Sequence, residues 1–94
     1  MKIYQEPKYI IEGRVVNRQS GAAIPDDEPV FLLRGRDINA VKTLESYLKI
    51  AKASGCNKEH EQAVKIRIGQ FSDFAHWNKK RMKKPDTTLT TDWE

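Results

Sequence analysis

The sequence predicts an α+β fold in which an N-terminal β-hairpin packs on a C-terminal antiparallel two-helix hairpin. Two observations carry this prediction. Residues 8–36 are rich in β-branched residues and turn formers, whereas residues 37–84 repeat apolar residues at helical spacing. A chain of 94 residues supports one domain. We therefore place a single domain at residues 1–84 and a flexible tail at residues 85–94.

The predicted β-hairpin has two short strands joined by a long loop. The first strand covers residues 9–17, where Gly13 fits a β-bulge, and the second covers residues 30–33. Two clusters of turn formers separate the strands, at residues 19–21 and 25–29. This order of strand and turn signals is typical of an antiparallel pair.

The first predicted helix runs from about residue 38 to residue 54. Asp37 is its expected N-cap, because a carboxylate there can accept an unpaired amide of the first turn. Gly55 fits the position just after the helix, where a positive φ is common. The apolar stripe of this helix consists of Ile38, Val41, Leu44, Leu48 and Ala51.

The second predicted helix starts after the N-cap Asn57 and continues until Pro85 stops it. Its main apolar stripe consists of Val64, Ile68, Phe71, Ala75 and Met82. Five cations are expected in its last turns, namely Lys79, Lys80, Arg81, Lys83 and Lys84. Because the link between the helices is very short, they are expected to fold back on each other as an antiparallel hairpin.

The helices carry apolar side chains on more faces than one hairpin covers. The surplus residues are Tyr47, Ile66, Phe71, Phe74 and Trp77. Surplus apolar faces are typical of interfaces, so we predict a homo-oligomer. The alternative is that the strands cover these faces within one chain. The tail is expected to be mobile or to bind a neighbouring subunit through Trp93.

Charge and cysteine content limit the class of protein. Lys and Arg number 17 against 13 acidic residues, a net charge of +4 that favours anionic partners or marks a solvated basic surface. A single cysteine, Cys56, excludes an intramolecular disulfide and fits a reducing compartment, so a cytoplasmic location is expected. No apolar run approaches the roughly 20 residues of a membrane span, and no secretory signal is predicted.

Residue patterns that carry catalysis or metal binding are weak. Cys56, His60 and His76 are the only soft metal ligands, and the acidic cluster at residues 26–28 is typical of a solvated turn, so no metal or other cofactor is predicted. The sequence has neither a Gly-x-Ser-x-Gly motif nor a glycine-rich phosphate loop. We predict no catalytic residue. An enzyme acting on a phosphorylated substrate remains the least supported alternative.

The best candidate for chemistry is an anion site where the second strand meets the first helix. Arg34 and Arg36 flank a glycine and would point to the same side of an extended backbone, where two guanidinium groups can fork onto phosphate oxygens. Asp37 and Asn39 complete this candidate site, next to the positive end of the helix dipole. The alternative is that Asp37 caps the helix and pairs with one arginine.

Two further loci combine aromatic rings with cations. Trp77, Asn78 and Arg81 lie in a basic stretch where a base could stack on the indole ring. The alternative places Trp77 in the core or an interface and leaves the lysines solvated. The third candidate consists of Tyr4, Lys8 and Tyr9, at and ahead of the start of the first strand, because an N-terminal segment can close over a ligand or pair with a neighbour.

Residues 24–37 read IPDDEPVFLLRGRD and precede a capped helical hairpin that ends in Phe71, Phe74 and Trp77. Over about residues 8–82 this pattern resembles the small phage anti-defence "sponge" proteins of the anti-CBASS and anti-Thoeris type. Members with a β-hairpin before the helices are similar to the anti-Thoeris branch.

The resemblance implies a non-enzymatic protein that sequesters a nucleotide immune signal in the host cytoplasm. The implied ligand is a cyclic oligonucleotide or a cyclic ADP-ribose isomer. The implied assembly is a homo-oligomer, up to a hexamer, with pockets between subunits. The alternative function is a small nucleic-acid-binding or regulatory module that uses the basic end of the second helix.

Overall fold

The computed structural model describes residue 9 and residues 12–85 of the chain. Contacts divide it into two compact units, one that ends at Leu32 and one that follows it. The predictions for Tyr4, for Lys8 and for residues 86–94 of the tail lie outside the described residues. No helix within the described ranges is long and apolar enough to cross a membrane.

The predicted helical hairpin is present in the second unit. Helix α1 covers Ala40–Ala53, helix α2 covers Lys58–Trp77, and the two pack against each other. The hydroxyl of Tyr47 on α1 lies 2.9 Å from Nε2 of His60 on α2, which joins the helices near their linker. Because the link between the helices is short, the chain reverses direction there, and the two helices pack as an antiparallel hairpin.

The C-terminus of α1 ends in a Schellman motif, as Gly55 predicts. The Cys56 amide donates to the carbonyl of Ala51 at 3.0 Å, and the Gly55 amide donates to Lys52 at 3.1 Å. Gly55 adopts a φ of 86°, in the left-handed region that side-chain-bearing residues rarely enter.

Two glycine substitutions should change stability in opposite directions. Gly55→Ala should lower the free energy of unfolding by about 1 kcal/mol, because alanine is strained at a positive φ. Gly69→Ala, at an exposed site inside α2 with nothing within 4 Å of a new Cβ, should raise it by up to about 1 kcal/mol. Urea unfolding followed by circular dichroism measures both. A shift of the same sign in both variants would contradict this assignment of the α1 terminus.

Helix α1 begins two residues later than predicted, and the prediction that Asp37 is its N-cap is wrong. The Asp37 carboxylate accepts the amide of Asn39 at 2.8 Å, and the Asp37 carbonyl accepts the amide of Ala40 at 3.0 Å. This local turn competes with the helix, as Asp side chains often do. Asn39 is therefore the N-cap, and its side chain makes no capping hydrogen bond.

The N-terminus of α2 is capped as predicted. The side chain of Asn57 accepts the amide of His60 at 2.8 Å. Glu59 and Glu61 lie in the first turn, where the helix dipole favours negative charge. A hydrogen bond from Lys65, 3.2 Å away, holds the pKa of Glu61 below its ordinary value.

The predicted extension of the second helix through its lysines is wrong, because α2 ends at Trp77. Asn78 ends it by donating both its backbone amide (2.9 Å) and its side-chain Nδ2 (3.0 Å) to the Phe74 carbonyl. A 3₁₀ helix at Lys79–Arg81 and an extended Met82 follow. The basic run therefore leaves the helix axis.

The chain after the 3₁₀ helix returns to the start of the second unit. The Lys83 amide donates to the Arg36 carbonyl at 2.9 Å, and the Ile38 amide donates to the Lys83 carbonyl at 3.1 Å. Asp37 and Lys83 thus form an isolated parallel bridge. This bridge fixes the segment that precedes α1 against the segment that follows α2.

The predicted N-terminal β-hairpin is wrong. Residues 9 and 12–85 contain no β-strand, and an isolated bridge between Val16 and Ala23 stands where the first strand was expected. The α+β class is therefore corrected, within the described residues, to a two-helix hairpin preceded by irregular chain. The second predicted strand, residues 30–33, lies in irregular backbone.

Local hydrogen bonding explains why the strands do not form. The Asn17 side chain accepts the amides of Gln19 and Ser20, both at 2.9 Å, and closes a tight loop. The Ile24 amide then donates to Val15 at 2.9 Å. A proline follows directly at position 25, and prolines are confined to strand edges and ends, so this pairing does not extend.

The core of the described residues is small. Its buried apolar residues are Ala40, Ala51 and Val64, and its buried charged residue is Arg36. Tyr47, Ile66 and Trp77 are exposed, together with Ile38 and Ile50. The homo-oligomer that these side chains favour stays a prediction.

Candidate anion-binding site

The two central arginines lie in a turn, and the extended backbone predicted for them is wrong. The Asp37 amide donates to the Arg34 carbonyl at 3.1 Å, which closes a turn over Gly35 and Arg36. The bridge through Lys83 holds the end of this turn. The arginines are therefore positioned by backbone hydrogen bonds on both sides, not by strand alternation.

Three arginines meet on one groove between this turn, α2 and the 3₁₀ helix. The groove has a volume of about 280 Å³. Its lining consists of Arg34, Gly35, Arg36, Gln70, Phe71, Phe74 and Arg81. The structure thus brings together predicted residues from two separate loci, which we call the arginine groove.

Phe74 organises this groove. A Cβ at Gly35 would lie 3.5 Å from the Phe74 ring, an ordinary van der Waals distance, so the turn lies next to the ring. The Arg81 guanidinium carbon lies 4.8 Å from the centroid of the same ring, in cation–π geometry. Phe74 therefore contacts the turn and also holds Arg81 at the groove.

The three arginines differ in accessibility. Arg36 is only 8% exposed, Arg34 is half-buried and Arg81 is exposed. A ligand entering the groove therefore reaches Arg34 and Arg81 most readily. Asp37 and Asn39, also predicted for this site, do not line the groove, and the Asp37 carboxylate is engaged with the Asn39 amide.

A second hollow adjoins the groove at the end of α2, and we call it the basic hollow. Its volume is about 600 Å³. Its lining consists of His76, Trp77, Asn78, Lys79, Lys80 and Arg81. Trp77 is 78% exposed, and its ring stands nearly perpendicular to that of His76 with centroids 4.7 Å apart. Arg81 belongs to both linings.

Asn78 and Tyr9 are two further ligand residues that the sequence predicted. Asn78 lines the basic hollow, but its Nδ2 is committed to the Phe74 carbonyl, so it acts at least partly as a helix cap. Tyr9 is half-buried and belongs to the first unit. Lys8, the remaining predicted ligand residue, lies outside the described residues.

The sequence pattern missed four groove residues, Gly35, Gln70, Phe71 and Phe74. Phe74 was predicted as one of the surplus apolar side chains of the helices, and its side chain is half-buried at the groove instead. The glycine between the two arginines is no signal for the groove, because a Cβ at Gly35 would lie at an ordinary van der Waals distance from the Phe74 ring. No sequence signal marks the return of Lys83, since that pairing is non-local.

The groove offers cationic and aromatic groups and no metal-binding set. Within residues 9 and 12–85, no group of three or more His, Cys, Asp and Glu side chains is placed to hold a metal ion. No protein-family model, curated protein or solved structure matches the chain. A functional assignment therefore depends on the chemistry of these residues.

Proposed function

We propose that this protein binds a small phosphorylated nucleotide in the arginine groove and sequesters it without converting it. The convergence of Arg34, Arg36 and Arg81 on one groove beside an aromatic ring carries the proposal. Guanidinium groups match phosphate oxygens in a forked geometry. A cyclic oligonucleotide or a cyclic ADP-ribose isomer, the ligands of the sponge proteins that the chain resembles, presents this chemistry.

The lining chemistry supports binding without turnover. Arginine stays protonated at physiological pH, and glutamine, glycine and phenylalanine do not exchange protons there, so none of the seven lining residues is suited to general acid–base catalysis near neutrality. The same groups bind a phosphate well. Retention of an intact ligand is therefore the outcome that this groove favours.

The affinity that sequestration requires supports a binding site to which a second copy of the chain contributes. Nanomolar binding requires about −12 kcal/mol. Two accessible arginines contribute about 3–6 kcal/mol through charge-assisted hydrogen bonds. The remainder has to come from contacts with the bases and from a second copy of the chain, which is consistent with a homo-oligomer, such as a hexamer, that shares pockets between subunits.

A capture-and-release experiment tests the proposal. The purified protein is incubated with cyclic dinucleotides, cyclic trinucleotides and cyclic ADP-ribose isomers, and the free ligand is measured after ultrafiltration. We expect one class to be depleted and then recovered unaltered when the protein is heated. Depletion of none of them, or recovery of a changed product, would contradict sequestration.

A nucleic-acid-binding module is the second candidate, favoured by the exposed Trp77 beside Lys79 and Lys80. Salt separates the two functions. A strand held through six to ten phosphates loses about 10³–10⁵ in affinity between about 50 and 200 mM salt. A ligand held by two or three arginines should lose much less. A steep salt dependence with a long single strand, and no capture of small nucleotides, would favour the module.

A further inference from the structure

The basic hollow lies directly beside the arginine groove, and Arg81 joins them. Its guanidinium carbon lies 4.8 Å from the centroid of the Phe74 ring, and the residue lines both depressions. A phosphate bound to Arg81 would therefore stand at the boundary between them. Whatever is covalently attached to that phosphate can extend into the basic hollow.

Trp77 gives the basic hollow its chemical character. Its indole is 78% exposed, and no element among the described residues covers it. Such exposure is unusual for a large aromatic side chain. The neighbouring His76 ring meets the indole edge-on, with the ring centroids 4.7 Å apart and the planes at 84°. Lys79 and Lys80 line the same hollow and add positive charge to it. Exposed aromatic rings bordered by cations are suited to stacking a nucleobase.

We infer that the basic hollow is a base-stacking subsite that continues the arginine groove. A ligand phosphate lies on Arg81, and the base attached to it stacks on Trp77. This inference rests on the proposed function and specifies its ligand, because it requires a base-bearing phosphate rather than any small anion. Phe74, one of the two phenylalanines that line the groove, contacts the turn and Arg81, so it is a positioning residue, and Trp77 is the stacking one.

The experiment compares two probes that differ in the base. Inorganic pyrophosphate tests the arginines alone, whereas 5′-phosphorylated diadenylate tests the arginines and the stacking ring. The chain has two tryptophans, so Trp93→Phe leaves Trp77 as the single indole fluorophore. We expect diadenylate to quench its fluorescence saturably and pyrophosphate to leave it unchanged.

Substitution of the ring provides the decisive comparison. Trp77→Leu should weaken diadenylate binding by about tenfold to 100-fold, the range of one stacked base, and should leave pyrophosphate binding unchanged. Trp77→Phe should restore most of the loss. Because the side chain is exposed, the variants should retain the wild-type circular dichroism.

Three results would overturn the inference. In the first, Trp77→Leu binds diadenylate as the wild type does. In the second, it loses both probes equally, which indicates a structural role. In the third, it changes the oligomeric state on gel filtration without changing diadenylate affinity, which places the ring in an interface between copies. The proposed function fails separately, if Arg34→Ala and Arg81→Ala leave the affinity for both probes unchanged.

Discussion

Replacement of Arg34 and Arg81 together by alanine should weaken binding of a phosphorylated nucleotide by at least about 100-fold. Each guanidinium that engages a phosphate contributes roughly 1.5–3 kcal/mol, and about 1.4 kcal/mol corresponds to a factor of ten. These are the two groove arginines with accessible side chains, half-buried and exposed respectively. Their loss would remove the two proposed phosphate contacts while the buried Arg36 stays in place.

Isothermal titration calorimetry with the captured nucleotide measures this effect. Lys49→Ala is the matched control, because it removes an exposed positive charge from α1 outside the groove lining, and it should change affinity by less than about threefold. Replacement of both arginines by lysine keeps the charge and loses the fork, so an intermediate loss is expected. If the double alanine variant binds as tightly as Lys49→Ala, the ligand does not use this groove.

The helical half of the fold was predictable because its determinants are local. Asn57 and Gly55 act within a few residues of themselves, through one side-chain acceptor and one positive φ. The end of α2 is also set by a local interaction, but the sequence pattern placed it too late, after the lysine run. The lysine run fits a helix terminus, but Asn78, which precedes it, bonds the Phe74 carbonyl twice and ends the helix first.

The β-hairpin failed because strand pairing is non-local. A run of β-branched residues indicates extended chain, but it does not say which segment will pair with it. Here Asn17 closes a loop within its own neighbourhood, and the nearby Val16 meets Ala23 instead of the distant apolar run. The sequence is compatible with either partner for the segment around Val16, and the local hydrogen bonds determine which pairing forms.

The arginine groove was predicted in part. Arg34 and Arg36 were predicted for the site from their residue types, but the groove exists because Phe74 and Arg81 arrive from the far end of α2. That meeting depends on where α2 ends and on the return of Lys83, which are tertiary features. A residue list taken from the sequence therefore named the arginines and missed the ring that arranges them.

Arg36 was predicted as a ligand contact, and its burial makes it a stability determinant as well. Its side chain is 8% exposed in a core whose buried apolar residues are two alanines and a valine, so it is the largest buried side chain among the described residues. Arg36→Ala should lower the free energy of unfolding by about 2–4 kcal/mol, since truncation of a large buried side chain removes packing and leaves a cavity. That is a large share of the roughly 5–15 kcal/mol typical of a domain.

Urea unfolding of three variants separates packing from charge. Arg34→Ala, two residues away and half-buried, is the matched control and should cost less than about 1 kcal/mol. Arg36→Met keeps most of the buried stem without the charge, so it should recover a large part of the loss if packing dominates. If Arg36→Met is as unstable as Arg36→Ala, the guanidinium itself supports the turn. If Arg36→Ala unfolds like Arg34→Ala, the burial of Arg36 contributes nothing to the stability of the helical unit.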